Sequence, residues 1–318
     1  VLYEVVSMTL FTRTFLAGSV ARPRASGVRE TRAGVATCLV LAAAAAVAVL
    51  GVGCGASTDD PSGGRPGPRP RVVSLSPAMT TSLLDLAPEA DLVGRTPWCR
   101  GADSTPVVGT LEGVDAELLV QIRPDVLLVQ PPASGVDPVI LALQDRLGFR
   151  LIARRLDGLA DVRATVDDLV AADVVDAAAR EAWRASARGA VDGAPAEPER
   201  RILLLHGLDP FRAVGTETYL DEMIEAAGAV NALQRSGWIE LGVEAIVRLE
   251  PDVVVVIGDP PDASTTLGAL PWRRSPVVLG FDHPDVFEPS TRIPAVNAAF
   301  RAGLQAIPQT DVPMESEP

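Results

Sequence analysis

One stretch of the chain occurs twice, and this internal repeat narrows the folds that the chain can adopt. The first copy begins at Glu117 and ends with Pro-Asp, directly before the apolar run Val126–Val129. The second begins at Glu244, and its Pro-Asp leads into the apolar residues 253–256. Glu, Pro and Asp stand at the same offsets in both copies. Because a solenoid needs at least three adjacent repeats, two distant copies indicate two related lobes.

Each copy has the pattern of a short helix followed by a buried strand. Leu118, Leu119 and Ile122 lie at helical spacing, and the second copy repeats this spacing. Proline disfavours the helical conformation of the residue before it, so the helices are predicted to end near Arg123 and Glu250. The apolar residues that follow show no polar alternation, which is typical of a parallel strand covered on both faces. The repeat therefore predicts half of an α/β unit, made twice.

Composition excludes several classes of function. The net charge is −13, whereas nucleic-acid binding depends on clustered basic residues that neutralise phosphates. All 28 basic residues are Arg, which excludes a lysine Schiff base and a Walker-type phosphate loop. Cysteine is too rare for a disulfide framework. Cys99 is predicted to be a buried, inert thiol, because only His206 and His283 are available to activate it.

Residues 1–53 have the pattern of an export leader. Arg is frequent at the start, an uncharged apolar run covers residues 34–53, and Cys54 follows directly. The arrangement resembles a bacterial lipoprotein signal peptide, in which Cys54 would be the lipidated first residue of the mature protein. The alternative is an uncleaved single-pass anchor, since the run is about long enough to cross a bilayer. Both interpretations hold the rest of the chain outside the cytoplasm, and residues 54–70 are predicted to form a flexible tether.

Strands and short helices are predicted to alternate along most of the remaining chain, which implies parallel sheets. Residues 71–158 form a predicted N-terminal α/β lobe, and residues 199–307 form a C-terminal one. Between them, residues 159–198 break the alternation with two predicted connecting helices. Residues 308–318 have the composition of a disordered acidic tail.

Several short motifs, taken together in order and spacing, resemble one known family. They are residues 72–77 (VVSLSP), the Trp98–Cys99 loop, both Glu…Pro-Asp repeats, residues 209–211 (DPF) and residues 215–217 (GTE). Over residues 71–306 the chain resembles the substrate-binding proteins of iron-siderophore and vitamin B12 importers. The resemblance implies an α/β fold, in which two Rossmann-like lobes with parallel sheets are joined by a long rigid helix. It also implies that a ligand is held in the cleft between the lobes.

The resemblance suggests a role for the repeated Glu residues. In the family, one exposed Glu on each lobe pairs with Arg on the membrane permease, and Glu117 and Glu244 match these positions by motif. The simpler reason for a Glu at either place is the favourable interaction of a carboxylate with a helix start. The implied partners are a small-molecule ligand, an ABC permease and, through a lipid anchor, the membrane. We expect a monomer with no cofactor, no bound nucleic acid and no catalytic role.

Aromatic residues are candidates for the ligand site because the chain has so few of them. Trp98, Phe211 and Trp238 all fall in predicted loops beside strand ends, where α/β proteins bind ligands. Flat rings offer a large apolar contact at a low cost in conformational entropy. Each ring alone suits lobe packing as well as binding, whereas the three together favour binding. Phe211 and Trp238 also match aromatic pocket positions of the vitamin B12 branch, and Asp282 matches a polar one more loosely.

Two rival functions remain open. A haem or other metal-chelate receptor of the same fold would need an axial ligand, and we interpret His206, His283 and Tyr219 as structural. An enzyme on this scaffold would need a motif such as Gly-x-Ser-x-Gly or a glycine-rich phosphate loop, and the sequence has neither. The ligand also stays open, because the aromatic residues suit a corrinoid whereas four Arg suit an anionic ferric siderophore. These four are Arg154, Arg212, Arg273 and Arg292.

Overall fold

The structure is a computed structural model that describes residues 69–110, 113–191, 200–258 and 260–307. The predicted leader, the lipidation site Cys54, the tether up to residue 68 and the acidic tail lie outside these residues. Within the described part, no helix combines the length and the apolar character needed to span a bilayer.

The N-terminal lobe is built on a four-stranded sheet. Its elements are β1 (Arg71–Ser74), α1 (Pro77–Leu86), β2 (Asp91–Arg95), β3 (Gly109–Thr110), β4 (Gly113–Val114), α2 (Ala116–Ile122), β5 (Val126–Val129), α3 (Pro138–Leu147) and β6 (Arg150–Ala153). The sheet order is β2-β1-β5-β6 and every pair is parallel, as the sequence predicted. Ser76 caps α1 by accepting a hydrogen bond from the Met79 backbone N–H, and Pro77 occupies the first turn.

Two helices connect the lobes, α4 (Leu159–Ala171) and α5 (Ala177–Val191). Their bounds confirm the two predicted helices of this segment. A tight connection around Asp173, which has a positive φ of 56°, separates them. The connection therefore consists of two helices, of which α5, with 15 residues, is the longer.

The C-terminal lobe is built on a six-stranded sheet. Its elements are β7 (Arg201–Leu208), β8 (Phe211–Val214), α6 (Tyr219–Ala226), β9 (Val230–Asn231), β10 (Trp238–Leu241), α7 (Val243–Arg248), β11 (Val253–Ile257), α8 (Ala263–Gly268), β12 (Val277–Phe281) and α9 (Ile293–Gln305). The main order is β10-β8-β7-β11-β12, with β9 paired to β7. Strands β7, β11 and β12 are parallel, as predicted, but β8 runs antiparallel to both β7 and β10.

The antiparallel strands correct the predicted loops that contain Phe211 and Trp238. β7 continues to Leu208, turns at Asp209-Pro210 and returns as β8, whose four residues pair with β10. A four-residue strand is too short to show a clear period in the sequence, so the hairpin was missed. Phe211 and Trp238 therefore stand on paired strands rather than in loops.

The repeat has the structure that its sequence predicted. Helices α2 and α7 end at equivalent places, and the residues before the two prolines, Arg123 and Glu250, have positive φ values of 50° and 45°. Strands β5 and β11 are buried along their whole length. In each lobe the repeat therefore supplies a central strand and the short helix that precedes it.

The Asp of each Pro-Asp pair fastens the first strand of its own lobe. The Asp125 carboxylate accepts the Arg71 backbone N–H at 2.7 Å, and the Asp252 carboxylate accepts the Arg201 backbone N–H at 2.9 Å. The side chains of Arg71 and Arg201 repeat the pattern, since each donates to a carbonyl at the end of its lobe's repeat helix. Arg71 donates to the Ile122 carbonyl at 2.8 Å, and Arg201 donates to the Leu249 carbonyl at 3.1 Å. The repeated Asp is thus explained by the fold.

Both sheets are covered on both faces. In the N-terminal lobe, α1 and α4 pack on one face and α2 and α3 on the other. In the C-terminal lobe, α6 and α9 cover one face, which we call the α6 face, and α7 and α8 cover the opposite one. In both lobes the helices cover the middle of the sheet, and the carboxyl ends of the strands are where α/β proteins bind ligands.

Candidate functional site

An interlobe charge network joins the turn after β2 and helix α1 to the segment that follows β12. Arg100, which follows β2, donates to Asp285 at 2.6 Å and approaches Glu288 at 2.8 Å, and both carboxylates follow β12. Arg292 pairs with Asp85 of α1 through three bonds of 2.8, 3.0 and 3.3 Å. Since Arg292 also approaches Asp285 at 3.5 Å, the five side chains alternate in charge across the lobes.

Hydrogen bonds reinforce this network. Thr291 donates its hydroxyl to Asp85 at 2.9 Å, and Thr81 donates to Glu288 at 3.1 Å. Trp183 of the connecting helix α5 donates its indole N–H to the Thr291 carbonyl at 2.9 Å. The network thus joins α1, the connecting helix α5 and the segment after β12.

An aromatic cluster lies on the α6 face of the second sheet, near the strand ends. The His206 and Trp238 rings meet edge to face with centroids 4.9 Å apart, and Tyr219 and Phe287 each lie 6.4 Å from one of them. The Tyr219 hydroxyl donates to the Val286 carbonyl at 3.0 Å, which fixes the ring against the loop after β12. Phe287 is 44% exposed, so the cluster has an accessible apolar surface.

His206 and Arg212 give the aromatic cluster its electrostatic character. Burial, and then the nearby charge of Arg212, lower the pKa of His206 from 6.5 to about 4. His206 is therefore neutral at pH 7, the form of imidazole that binds metal ions. The other histidine, His283, accepts the Asp285 backbone N–H at its Nδ1 atom over 3.1 Å.

The four predicted ligand-binding residues do not come together as one group. Trp238 belongs to the aromatic cluster, and Trp98 is half-buried in the turn after β2, two residues before Arg100. Phe211 is only 9% exposed and packs in the core on the opposite face of the sheet from Trp238. Asp282 is exposed directly after β12.

Phe211 instead lines an open groove of about 410 Å³ at the tip of the β7–β8 hairpin. Pro210, Leu241 and Val243 give the groove an apolar floor, and Asp209 and Glu240 add carboxylates at its rim. The groove lies beside the start of α7.

Glu117 and Glu244 occupy the same place in the two copies of the repeat. Each is the second residue of its short helix, each is exposed, and neither forms an ion pair with a described residue. The helix starts differ otherwise, because Asp115 caps α2 through its side chain whereas Gly242 offers α7 no side-chain cap. The shared feature of the two starts is the exposed carboxylate.

Cys99 is buried, as predicted. Only 1% of the residue is exposed, and its sulfur lies 3.1 Å from the Thr80 hydroxyl and 3.2 Å from that of Thr96. Across the described residues, no three His, Cys, Asp or Glu side chains gather as a metal site.

The sequence did not single out the residues that surround Trp238. The sequence indicates only a structural role for His206 and Tyr219 and carries no signal for Phe287, yet all three rings lie around Trp238 in the structure. One usable signal was the position of His206, a polar residue directly after four buried residues of a central strand. In a parallel sheet, such a residue stands at the carboxyl edge where ligands bind.

Comparison with solved structures identifies the fold. The matches include a possible iron-binding periplasmic solute-binding protein from Staphylococcus epidermidis (TM-score 0.62, 17% identity), which aligns with 74% of this chain and 98% of its own length. The periplasmic heme-binding protein of Vibrio cholerae aligns with 75% of this chain and 99% of its own (TM-score 0.60, 20% identity). The periplasmic vitamin B12 binding protein of the same organism aligns with 75% and 97% (TM-score 0.57, 17% identity).

These likenesses show that the described part of the chain has the two-lobed α/β fold of periplasmic solute-binding proteins. No protein-family model matches the sequence, and no curated protein does either.

Proposed function

We propose that the protein is the extracytoplasmic solute-binding component of an ABC importer. It captures a corrinoid or a ferric siderophore between its lobes and delivers it to the membrane permease. The fold supports this function, as do the structures that share it, which include vitamin B12-binding, heme-binding and iron-binding periplasmic proteins.

The observation that carries the proposal is the pair Glu117 and Glu244. A fold needs neither exposed carboxylate, yet both copies of the repeat present one at the same place. In the proposed function, each Glu pairs with an Arg of the permease, and charge-assisted bonds of this kind are strong and directional.

Charge reversal tests this docking role. The double variant Glu117→Arg with Glu244→Arg should bind ligand as the wild type does but abolish transport by membranes that contain the permease. Asp145→Arg is the matched control, since Asp145 is an exposed carboxylate of α3 outside the repeat. Normal transport by the double variant would refute docking through the two Glu. If the double variant failed to fold, the two Glu residues would instead serve to stabilise the starts of α2 and α7.

For the ligand, we propose contacts with Trp98 of the N-terminal lobe and Trp238 of the C-terminal lobe. Titration with cyanocobalamin and with a ferric hydroxamate, followed by Trp fluorescence, tests this proposal because both compounds absorb visible light and quench nearby indoles. Trp238→Ala should weaken the binding of whichever compound binds the wild type at least tenfold, which is about 1.4 kcal/mol of binding free energy. Because Trp238 also packs against the core, Trp238→Phe serves as a second variant that preserves folding. An unchanged affinity in both variants would remove Trp238 from the site.

Haem is a second candidate ligand, and the state of His206 favours it. A neutral imidazole beside an accessible aromatic surface suits axial coordination of a haem iron. Purified protein titrated with haem should then show a shifted Soret band that His206→Gln abolishes. A Soret band that is identical in both proteins would exclude His206 as an axial ligand.

We also propose that Cys54 anchors the protein to the membrane from outside the cytoplasm. Labelling of growing cells with a fatty acid should mark the wild type, and Cys54→Ser should remove both the label and the membrane association. A membrane-bound but unlabelled wild type would indicate an uncleaved anchor instead. We assign the protein no catalytic role and expect it to act as a monomer.

A further inference from the structure

The four Arg that suit an anionic ligand differ sharply in their surroundings. Three of them already pair with a carboxylate: Arg154 with Asp168 at 2.7 Å, Arg273 with Glu250 at 3.4 Å, and Arg292 with Asp85 at 2.8 Å. The remaining one is Arg212. It makes no ion pair or hydrogen bond with the described residues, although it is half-buried.

The strand register explains where Arg212 points. In β8, Phe211 and Ala213 face the core under α7 and α8, so Arg212 and Val214 face the opposite side. Arg212 stands opposite Gly207, whose missing side chain leaves room for the Arg212 stem. The guanidinium therefore lies on the α6 face, near His206 and the Trp238 ring.

The cross-strand neighbour of Arg212 does not neutralise it. Glu240 is its cross-strand neighbour in β10 and lies on the same face. The Glu240 carboxylate is exposed, and it lies outside the 4.0 Å of an ion pair with the guanidinium. A partly desolvated cation without a partner is unfavourable, and an approaching anion would relieve that cost.

We propose that Arg212 is the residue that selects the charge of the ligand, and that the ligand is an anionic metal chelate. The inference rests on the proposed function and deepens it. A guanidinium donates two parallel N–H bonds to the two oxygens of a carboxylate, and its fixed positive charge attracts the oxygens of an anionic chelate such as a ferric catecholate. The aromatic cluster next to it supplies an apolar surface for the body of the chelate. This combination disfavours cyanocobalamin, which carries no net charge.

A charge series of ligands tests the inference. The probes are a trianionic ferric tris-catecholate, haem with its two propionates, a neutral ferric trihydroxamate and cyanocobalamin. The proteins are the wild type, Arg212→Gln, Arg212→Lys and the control Arg273→Gln, whose target is 87% exposed. Melting temperatures and circular dichroism establish that each variant is folded.

The expected result is a loss confined to anionic probes. Arg212→Gln should weaken binding of the tris-catecholate or of haem by about ten- to a hundredfold, because charge-assisted bonds are lost. Arg212→Lys should retain part of the affinity, and Arg273→Gln should retain all of it. Added salt should weaken anion binding to the wild type more than to Arg212→Gln. The two anionic probes distinguish a siderophore from a haem.

Three results would overturn the inference. If Arg212→Gln lost affinity equally for neutral and anionic probes, Arg212 would be a structural residue. If Glu240→Gln lost as much affinity as Arg212→Gln, the two side chains would form an internal pair. Tight binding of cyanocobalamin alone would overturn the inference and leave the proposed function intact. Failure of the wild type to bind any of the four probes would overturn both.

Discussion

The neutral state of His206 predicts that acid destabilises the protein through this one residue. An unfolded chain has a histidine pKa near 6.5, whereas in the folded protein the pKa of His206 is lowered to about 4. Between these two values the unfolded state binds more protons than the folded state. Stability therefore rises with pH across this window, and it is lost as the pH falls from 6.5 towards 4.

The size of the effect follows from the two pKa values. The linkage relation gives a loss of about 2 kcal/mol between pH 7 and pH 5, out of a limit of about 3 kcal/mol below pH 4. A loss of this size is a large part of the stability of an ordinary domain. Glu222 acts in the opposite sense, because burial raises the pKa of its carboxyl group and protonation there favours the folded state.

A comparison between two proteins separates His206 from all other groups. Urea unfolding of the wild type and of His206→Gln, at several values from pH 5 to pH 7, gives the stability difference at each pH. The wild type should lose about 2 kcal/mol relative to the variant on going from pH 7 to pH 5. A difference that stays constant over this range would refute the reasoning. An NMR titration that places the His206 pKa near 6.5 would refute it directly.

Two further predictions concern the scaffold. Asp85→Ala removes three bonds from Arg292 and one from Thr291. Since the Arg292–Asp85 pair is partly exposed, we expect a loss of about 1–2 kcal/mol in the free energy of urea unfolding. An unchanged unfolding midpoint would mean that the interlobe charge network does not stabilise the lobes. Asp125→Ala and Asp252→Ala should each lower the free energy of unfolding by about 1 kcal/mol, because each leaves a strand N–H without its acceptor. A clear difference between the two losses would show that the repeat is not equivalent in the two lobes.

The sequence predicted the scaffold well where local chemistry determines it. The pattern of a short amphipathic segment, Pro-Asp and four apolar residues determines a helix followed by a buried strand. The structure has these elements in both copies, as α2 and β5 and as α7 and β11. The cap at Ser76 was predictable for the same reason, since the side chain bonds to a backbone N–H three residues away.

The site was less predictable because its chemistry depends on long-range pairing. Phe211 and Arg212 are adjacent in sequence, but the alternation of a strand sends them to opposite faces. A reading of the region as a loop cannot assign those faces. The sequence also does not reveal which Arg lacks an ion-pair partner, since partners such as Arg292 and Asp85 are 207 positions apart.

The repeated Asp and the repeated Glu differ in whether the fold itself uses their carboxylates. Each repeated Asp is used inside its lobe, on a strand N–H, so duplication of the fold alone explains why both copies keep it. The repeated Glu has no such use, and a carboxylate near a helix start contributes only about 0.3–1 kcal/mol when exposed. Asp115 already supplies a carboxylate at the start of α2, yet Glu117 is present there as well. The helix preference therefore accounts poorly for Glu117, whereas the docking role that we propose would account for both Glu residues at once.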